Sequence, residues 1–140
     1  MSDSSMPRFH LAFPVVDLES TRDFYVEVLG CRQGRRTDEW IDLDFHGHQL
    51  SAHRVMRMTP QPTNNVDGQQ VPVCHFGLVL EVEAWKRLRD RLVGAGVAFL
   101  IGPGLRFAGE PGEQWTMFVS DPSGNGLEFK AFTDPNGVFR

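Results

Sequence analysis

His10, His75 and Glu128 are the residues of this sequence best suited to chemistry. Two imidazoles and one carboxylate, with no thiolate among them, make a facial triad for a divalent metal ion. Such a triad leaves coordination positions open for water and substrate. Each residue also has a plain reading: most histidines are satisfied by hydrogen bonds, and most strand glutamates are simply wet. What argues for a site is their spacing, because the chain is written twice and the three residues fall at matched points of the repeat.

In the first half, "FHLAFPVVD" (9–17) alternates and predicts a strand. "LESTRDFYVEVLG" (18–30) carries a helical stripe of Leu18, Phe24, Tyr25, Val28 and Leu29, with Asp17 as N-cap and Gly30 past its end. "CRQGRR" reads as a short strand, and "EWIDLDF" with "HQLSAHRV" as a hairpin around "HG". The second half repeats the order. "VCHFGLVLEV" is a strand, "EAWKRLRDRLVGAG" a helix with apolar Ala84, Trp85, Leu88, Leu92 and Val93, and "VAFLI" a strand. "QWTMFVS" and "GLEFKAF" then form a hairpin around "DPSGN". Each half is β-α-β-β-β, about 8–56 and 73–132, and the polar, Pro- and Asn-rich segment 57–72 reads as a linker. Laid on one another, His10 meets His75, Asp44 meets Asp121, Gly47 meets Gly124, Leu50 meets Leu127 and Ser51 meets Glu128.

Alternation assigns faces. Phe9, Leu11, Phe13 and Val15 form the apolar side of the first strand, and Cys74, Phe76, Leu78 and Leu80 that of its repeat. His10 and His75 project from the opposite side, beside small residues (Ala12 and Gly77) that leave room for something else. Glu128 also opposes its strand's core face. If that uncovered face curves, the three side chains converge in a cavity.

The bulk properties narrow the class. The chain has 140 residues, 41% of them hydrophobic, and a formal charge of −4, which suits one acidic domain with an ordinary core. No basic block stands out, so nucleic acid is not an expected partner. No apolar stretch approaches membrane-spanning length and "MSDSSMPRF" lacks a secretory pattern, so the expected compartment is the cytoplasm. Cys31 and Cys74 have no zinc-like spacing and read as buried thiols.

"HLAFPVVDLESTRDFYVEVLG", "HFGLVLEV" and "DPSGNGLEF" resemble the vicinal oxygen chelate superfamily, and the likeness runs from Phe9 to Phe132. That superfamily includes glyoxalase I, fosfomycin-resistance thiol transferases, extradiol dioxygenases, methylmalonyl-CoA epimerase and bleomycin-binding proteins. "WIDLDFHGHQLSAH" together with "RFAGEPGEQWTMFVSDPSGNGLEFKAF" is most similar to a bacterial subgroup described as predicted extradiol-type dioxygenases. The resemblance implies an α+β fold of two tandem βαβββ modules, whose curved mixed sheets surround a metal cleft. It implies one divalent ion per site held by His10, His75 and Glu128, with Fe(II) or Mn(II) favoured over Zn(II) or Ni(II), and Ser51 at the fourth place. It also implies a small-molecule substrate and pairing of modules within one chain or across a homodimer.

The departures from family patterns matter. Glyoxalase I and the epimerase usually carry a carboxylate at the fourth place, and Ser51 is a poor ligand and a poor base. Ring-cleaving dioxygenases share the two-His, one-Glu set but add a Tyr on the strand before the Glu; Phe118 stands on that strand here. They also add an acid–base His. His53, two residues beyond Ser51 on the same face, is the local candidate for that role; a fourth ligand and a polar rim residue are its other readings. His46 and His48 belong to the turn. Trp40, Trp115 and Met117 are expected on the cleft side, where they suit an aromatic or apolar substrate, with simple packing as their plain reading; Arg106, in a loop between glycines, reads either as a cation that fixes an anionic oxygen or as a solvated arginine. The resulting expectation is a metal-dependent enzyme with ring-cleaving or related dioxygenase chemistry. Its rivals are a non-catalytic small-molecule binding protein and a glyoxalase-like lyase or thiol transferase.

Overall fold

The computed structural model describes residues 6–66 and 68–140, so Asp67 of the expected linker lies outside the described residues, as does most of the N-terminal "MSDSSMPRF". The chain falls into two compact units that divide between Met58 and Thr59.

In the first unit, β1 (His10–Val15) leads into α1 (Leu18–Arg22), followed by β2 (Arg32–Arg36), β3 (Trp40–Phe45) and β4 (His48–Arg54). Asp17 caps α1, its carboxylate accepting the Ser20 N–H at 2.8 Å, and this bond holds its carboxyl below the usual range. The expected single helix differs in detail: α1 gives way to a π-helical turn over Asp23–Val28, with the Leu29 N–H donating to the Phe24 carbonyl at 3.0 Å. The adjacent aromatics Phe24 and Tyr25 are both buried there, ring against ring at 5.3 Å. The sheet order is β1-β4-β3-β2, with β1 parallel to β4 and the hairpins antiparallel. His46 and Gly47 turn the β3–β4 hairpin with φ of 53° and 88°, the left-handed pair that a two-residue turn requires.

The second unit opens on a feature the composition does not announce. Within the expected linker, β5 (Thr63–Val66) and β6 (Gln69–Pro72) form a two-stranded hairpin, with Val71 buried. Then follow β7 (His75–Val79), α2 (Val82–Gly94), β8 (Phe99–Arg106), β9 (Gln114–Ser120) and β10 (Gly126–Phe132), in the sheet order β7-β10-β9-β8. α2 buries Trp85 and Leu92, and the Trp85 indole N–H donates to the Phe129 carbonyl at 2.9 Å. Val93, expected on the apolar stripe, is exposed. Asp121 organises the β9–β10 turn: Oδ1 accepts the Ser123 and Asn125 N–H groups, both at 2.9 Å, and Gly124 takes a φ of 93°.

Both units therefore carry the same β-α-β-β-β order and the same strand arrangement. Two sequence expectations are corrected. Cys31 is buried, but Cys74 is exposed, because β7 begins one residue after it. Phe9 precedes β1 and is exposed, so the first strand's core residues are Phe13 and Val15. Among the described residues no helix is long and apolar enough to cross a membrane.

Candidate metal centre

Parallel pairing of the first and last strands fixes the site residues in register. In the first unit His10 pairs with Gln49 and Ala12 with Ser51. In the second, His75 pairs with Gly126 and Gly77 with Glu128. Ser51 and Glu128 thus occupy the same position relative to their units' histidines, as the sequence repeat lays them.

In the second unit the helix-facing side of the sheet is marked by Trp85, whose ring lies 5.6 Å from Trp115. Glu128 points to the other side, directly opposite Phe118 on β9. His75 shares that side: its ring meets the edge of Phe118 at 4.8 Å, and its Nε2 lies 3.5 Å from Glu128 Oε1. The remaining ring nitrogen, Nδ1, lies 2.7 Å from the Pro72 carbonyl oxygen. A carbonyl can only accept, so Nδ1 is the nitrogen that donates to Pro72, and Nε2 is the one turned toward the carboxylate. An imidazole nitrogen and a carboxylate oxygen this close form an ion pair when the ring is protonated, and with Nε2 unprotonated they present two donor atoms to a cation. Ligands about 2.0–2.2 Å from one ion stand at about this separation, so the pair fits two positions of a divalent site, with its imidazole oriented by a backbone acceptor.

Two glycines make this packing possible. A Cβ at Gly77 would collide with the Glu128 carbonyl oxygen. At Gly126 it would stand 2.8 Å from the Phe118 ring and 3.3 Å from His75 Cβ. The pair opens into a cavity of about 230 Å³, which Lys130 also lines, with Nζ 3.9 Å from Glu128 Oε1.

His10 lies exposed on the first unit's sheet, and its Nδ1 is 2.8 Å from Gln49 Oε1. The amide oxygen only accepts, so here too Nδ1 is the donating nitrogen, and Nε2 is the ring nitrogen turned away from Gln49. His75 and Glu128 are brought together; among the described residues, no group of three or more His, Cys, Asp or Glu is assembled for a metal ion.

Ser51 is buried and its hydroxyl donates to Asp42 Oδ1 at 2.6 Å. Asp42 is a nearly buried carboxylate that the sequence reading passed over. It pairs with Ser51 across the β3–β4 ladder, is itself 9% exposed, and its other oxygen lies 3.9 Å from Arg35 Nε. The signal was present: alternation in "WIDLDF" puts Trp40, Asp42 and Asp44 on the face of Ser51. Trp40 is half-buried and pairs with exposed His53 on that same face.

Trp115 and Met117 are corrected. They lie on the helix-facing side, Trp115 against Trp85 and Met117 fully buried, because Phe118 rather than Met117 is the residue opposite Glu128. Arg106 ends β8 with its guanidinium 5.0 Å from the Phe107 ring centre. Away from these residues, burial and the Asp44 charge push the Cys31 thiol up to about 12.

The sequence matches the glyoxalase/bleomycin resistance protein/dioxygenase superfamily over residues 9–129. A crystal structure of a glyoxalase/bleomycin resistance protein/dioxygenase from Alicyclobacillus acidocaldarius is 33% identical, covering 98% of this chain and 99% of that one, with a TM-score of 0.82. The genomically encoded fosfomycin resistance protein FosX from Listeria monocytogenes shares the fold at 14% identity, covering 95% of this chain and 98% of its own, with a TM-score of 0.73. A mutant of FosX, at 14% identity, a TM-score of 0.71 and coverage of 96% and 98%, was crystallised with Mn(II) and 1S,2S-dihydroxypropylphosphonic acid. No curated protein matches the chain. With the family matched over nearly its whole length, this chain belongs to the glyoxalase/bleomycin resistance protein/dioxygenase superfamily, the vicinal oxygen chelate proteins.

Proposed function

We propose that the chain is a metal-dependent enzyme that grips two neighbouring oxygens of a small substrate, with His10, His75 and Glu128 as ligands and ring-cleaving or related dioxygenase chemistry as its reaction. The observation that carries this reading is His75 Nε2 facing Glu128 Oε1 across 3.5 Å, with Nδ1 held by the Pro72 carbonyl. A bound Fe(II) or Mn(II) would supply Lewis acidity toward the chelated oxygens and a redox centre for oxygen chemistry. The chain's own residues orient and shield. Pro72 sets the His75 tautomer, Phe118 covers one edge of its ring, and Gly77 keeps the strands close enough for Glu128 to reach it. His53, exposed on the first unit's sheet, is the proposed proton acceptor for a substrate hydroxyl.

A second reading, a glyoxalase-like lyase, is favoured by one observation: Asp42 accepts the Ser51 hydroxyl hydrogen bond and supplies a carboxylate next to the position where Ser51 alone had none. The two readings separate on one assay. Protein purified without chelator and loaded with Fe(II) or Mn(II) is supplied with a series of catechols in an oxygen electrode, and with hemithioacetals under nitrogen. Oxygen uptake with ring-opened product supports the dioxygenase; oxygen-independent turnover of the hemithioacetals supports the lyase. Tight ligand binding by metal-free protein without turnover of either overturns both in favour of a binding protein.

A further inference from the structure

Lys130 lines two cavities of the second unit. One, about 230 Å³, contains His75 and Glu128. The other, about 550 Å³, is walled by Phe107, Pro111, Phe132 and Val138. Glu128, Lys130 and Phe132 alternate along β10 and so share one face, in the order carboxylate, ammonium, aromatic ring. At 3.9 Å Lys130 and Glu128 form an ion pair that is too long for a hydrogen bond, so the ammonium's N–H groups are not donated to that carboxylate. Arg140, also on the larger cavity, faces Asp134 at 3.5 Å, and Glu110 is acidic, which makes Lys130 the cation common to both spaces. Phe107 is 48% exposed at this cavity, apolar surface that an apolar group can cover.

We propose that the two cavities form one groove for an amphipathic anion, its carboxylate or other oxyanion at Lys130 beside His75 and Glu128, and its aromatic or alkyl tail against Phe107 and Phe132. The headgroup end rests on the reading of His75 and Glu128 as metal ligands. The charges favour this assignment. A divalent ion at Glu128 would add positive charge next to the ammonium, and an oxyanion between them offsets that repulsion. The tail end rests on shape and apolarity, and is independent of any metal.

The test uses 3-phenylpropionate, 3-phenylpropanamide and acetate as probes, titrated calorimetrically into the full chain. 3-Phenylpropionate is expected to bind, with the amide at least tenfold weaker. Lys130→Gln should weaken 3-phenylpropionate about tenfold, whereas Phe107→Ala should weaken it several-fold and leave acetate unchanged. In Mn(II)-loaded protein, the probe's methylene protons next to the carboxylate should broaden more than its ring protons in the NMR spectrum. Equal binding by wild type and both variants, equal affinity for acid and amide, or stronger broadening of the ring protons overturns the groove. If the wild type takes up no Mn(II), the metal reading fails instead, and the Lys130 and Phe107 titrations still decide the groove.

Discussion

Asp42 and Ser51 face one another across the β3–β4 ladder, joined by a 2.6 Å hydrogen bond in which the serine hydroxyl donates. Ser51 stands at the repeat position of Glu128, so each unit places a carboxylate in or next to the same register slot, one on its last strand and one on the strand before it. Ser51→Ala leaves a nearly buried carboxylate without its donor and should destabilise the fold by about 1–3 kcal/mol in chemical denaturation. Ser51→Glu sets a second carboxylate against Asp42 and should destabilise at least as much at neutral pH. Unchanged denaturation midpoints for both variants would contradict the pairing.

The neighbouring strand contact of the second unit gives a sharper case. Gly77 has no room for a methyl group beside the Glu128 carbonyl. Gly77→Ala should therefore separate β7 from β10, cost about 1–3 kcal/mol or more of stability, and weaken metal uptake through the displaced His75. Ala12→Gly, at the matching position of the first unit, should leave metal uptake unchanged. Equal metal affinity in Gly77→Ala and wild type would sink the claim that this glycine positions the pair.

The two thiols should separate by reactivity. Cys74 is exposed and should react with a thiol reagent in the native protein, whereas Cys31 is buried and its thiol is pushed from the ordinary value of 9.0 up to about 12, so it should react only on unfolding. The sign of the pH effect follows. Between those values the folded chain holds a proton that the unfolded chain has released, so the Cys31 contribution to stability is full below about pH 9 and is lost as pH rises toward 12. Cys31→Ala should flatten the alkaline loss of stability. Two thiols titrating at the same rate at neutral pH would contradict this.

Much of this was legible in the sequence, because duplication and period-two alternation are both written in residue types. His75 and Glu128 were readable as neighbours since each is a polar residue on the side opposite its strand's apolar series. Trp115 and Met117 were not, because register across a hairpin is set by the turn: the loop joins Ser120 to Gly126, and a one-residue difference in that count moves every side chain of the strand to the other face. Asp42 was less legible because its place beside Ser51 depends on the β3–β4 ladder and not on the spacing within either strand. The β5–β6 hairpin escaped because "TNNV" and "QQVP" are mostly polar, and only Val71 is buried. The π-helical turn has no residue signature in the helical stripe.

A homodimer is the assembly expected if the two modules pair between chains. Light scattering should give twice the chain mass of 15.8 kDa. If ligands come from both copies, mixing inactive His10→Ala and Glu128→Ala chains restores one intact site in each mixed dimer and part of the activity. A strictly monomeric protein, or no recovery on mixing, would contradict ligand sharing.

Metal content bears most directly on the central claim that His75 and Glu128 are ligands. Wild-type chain, His75→Ala and Glu128→Ala are each incubated with Mn(II), gel-filtered and analysed for bound metal, with circular dichroism to check folding. The account predicts one ion per chain in the wild type and its loss from both variants with the spectrum unchanged. Stoichiometric metal in both folded variants, or none in the wild type, would contradict it.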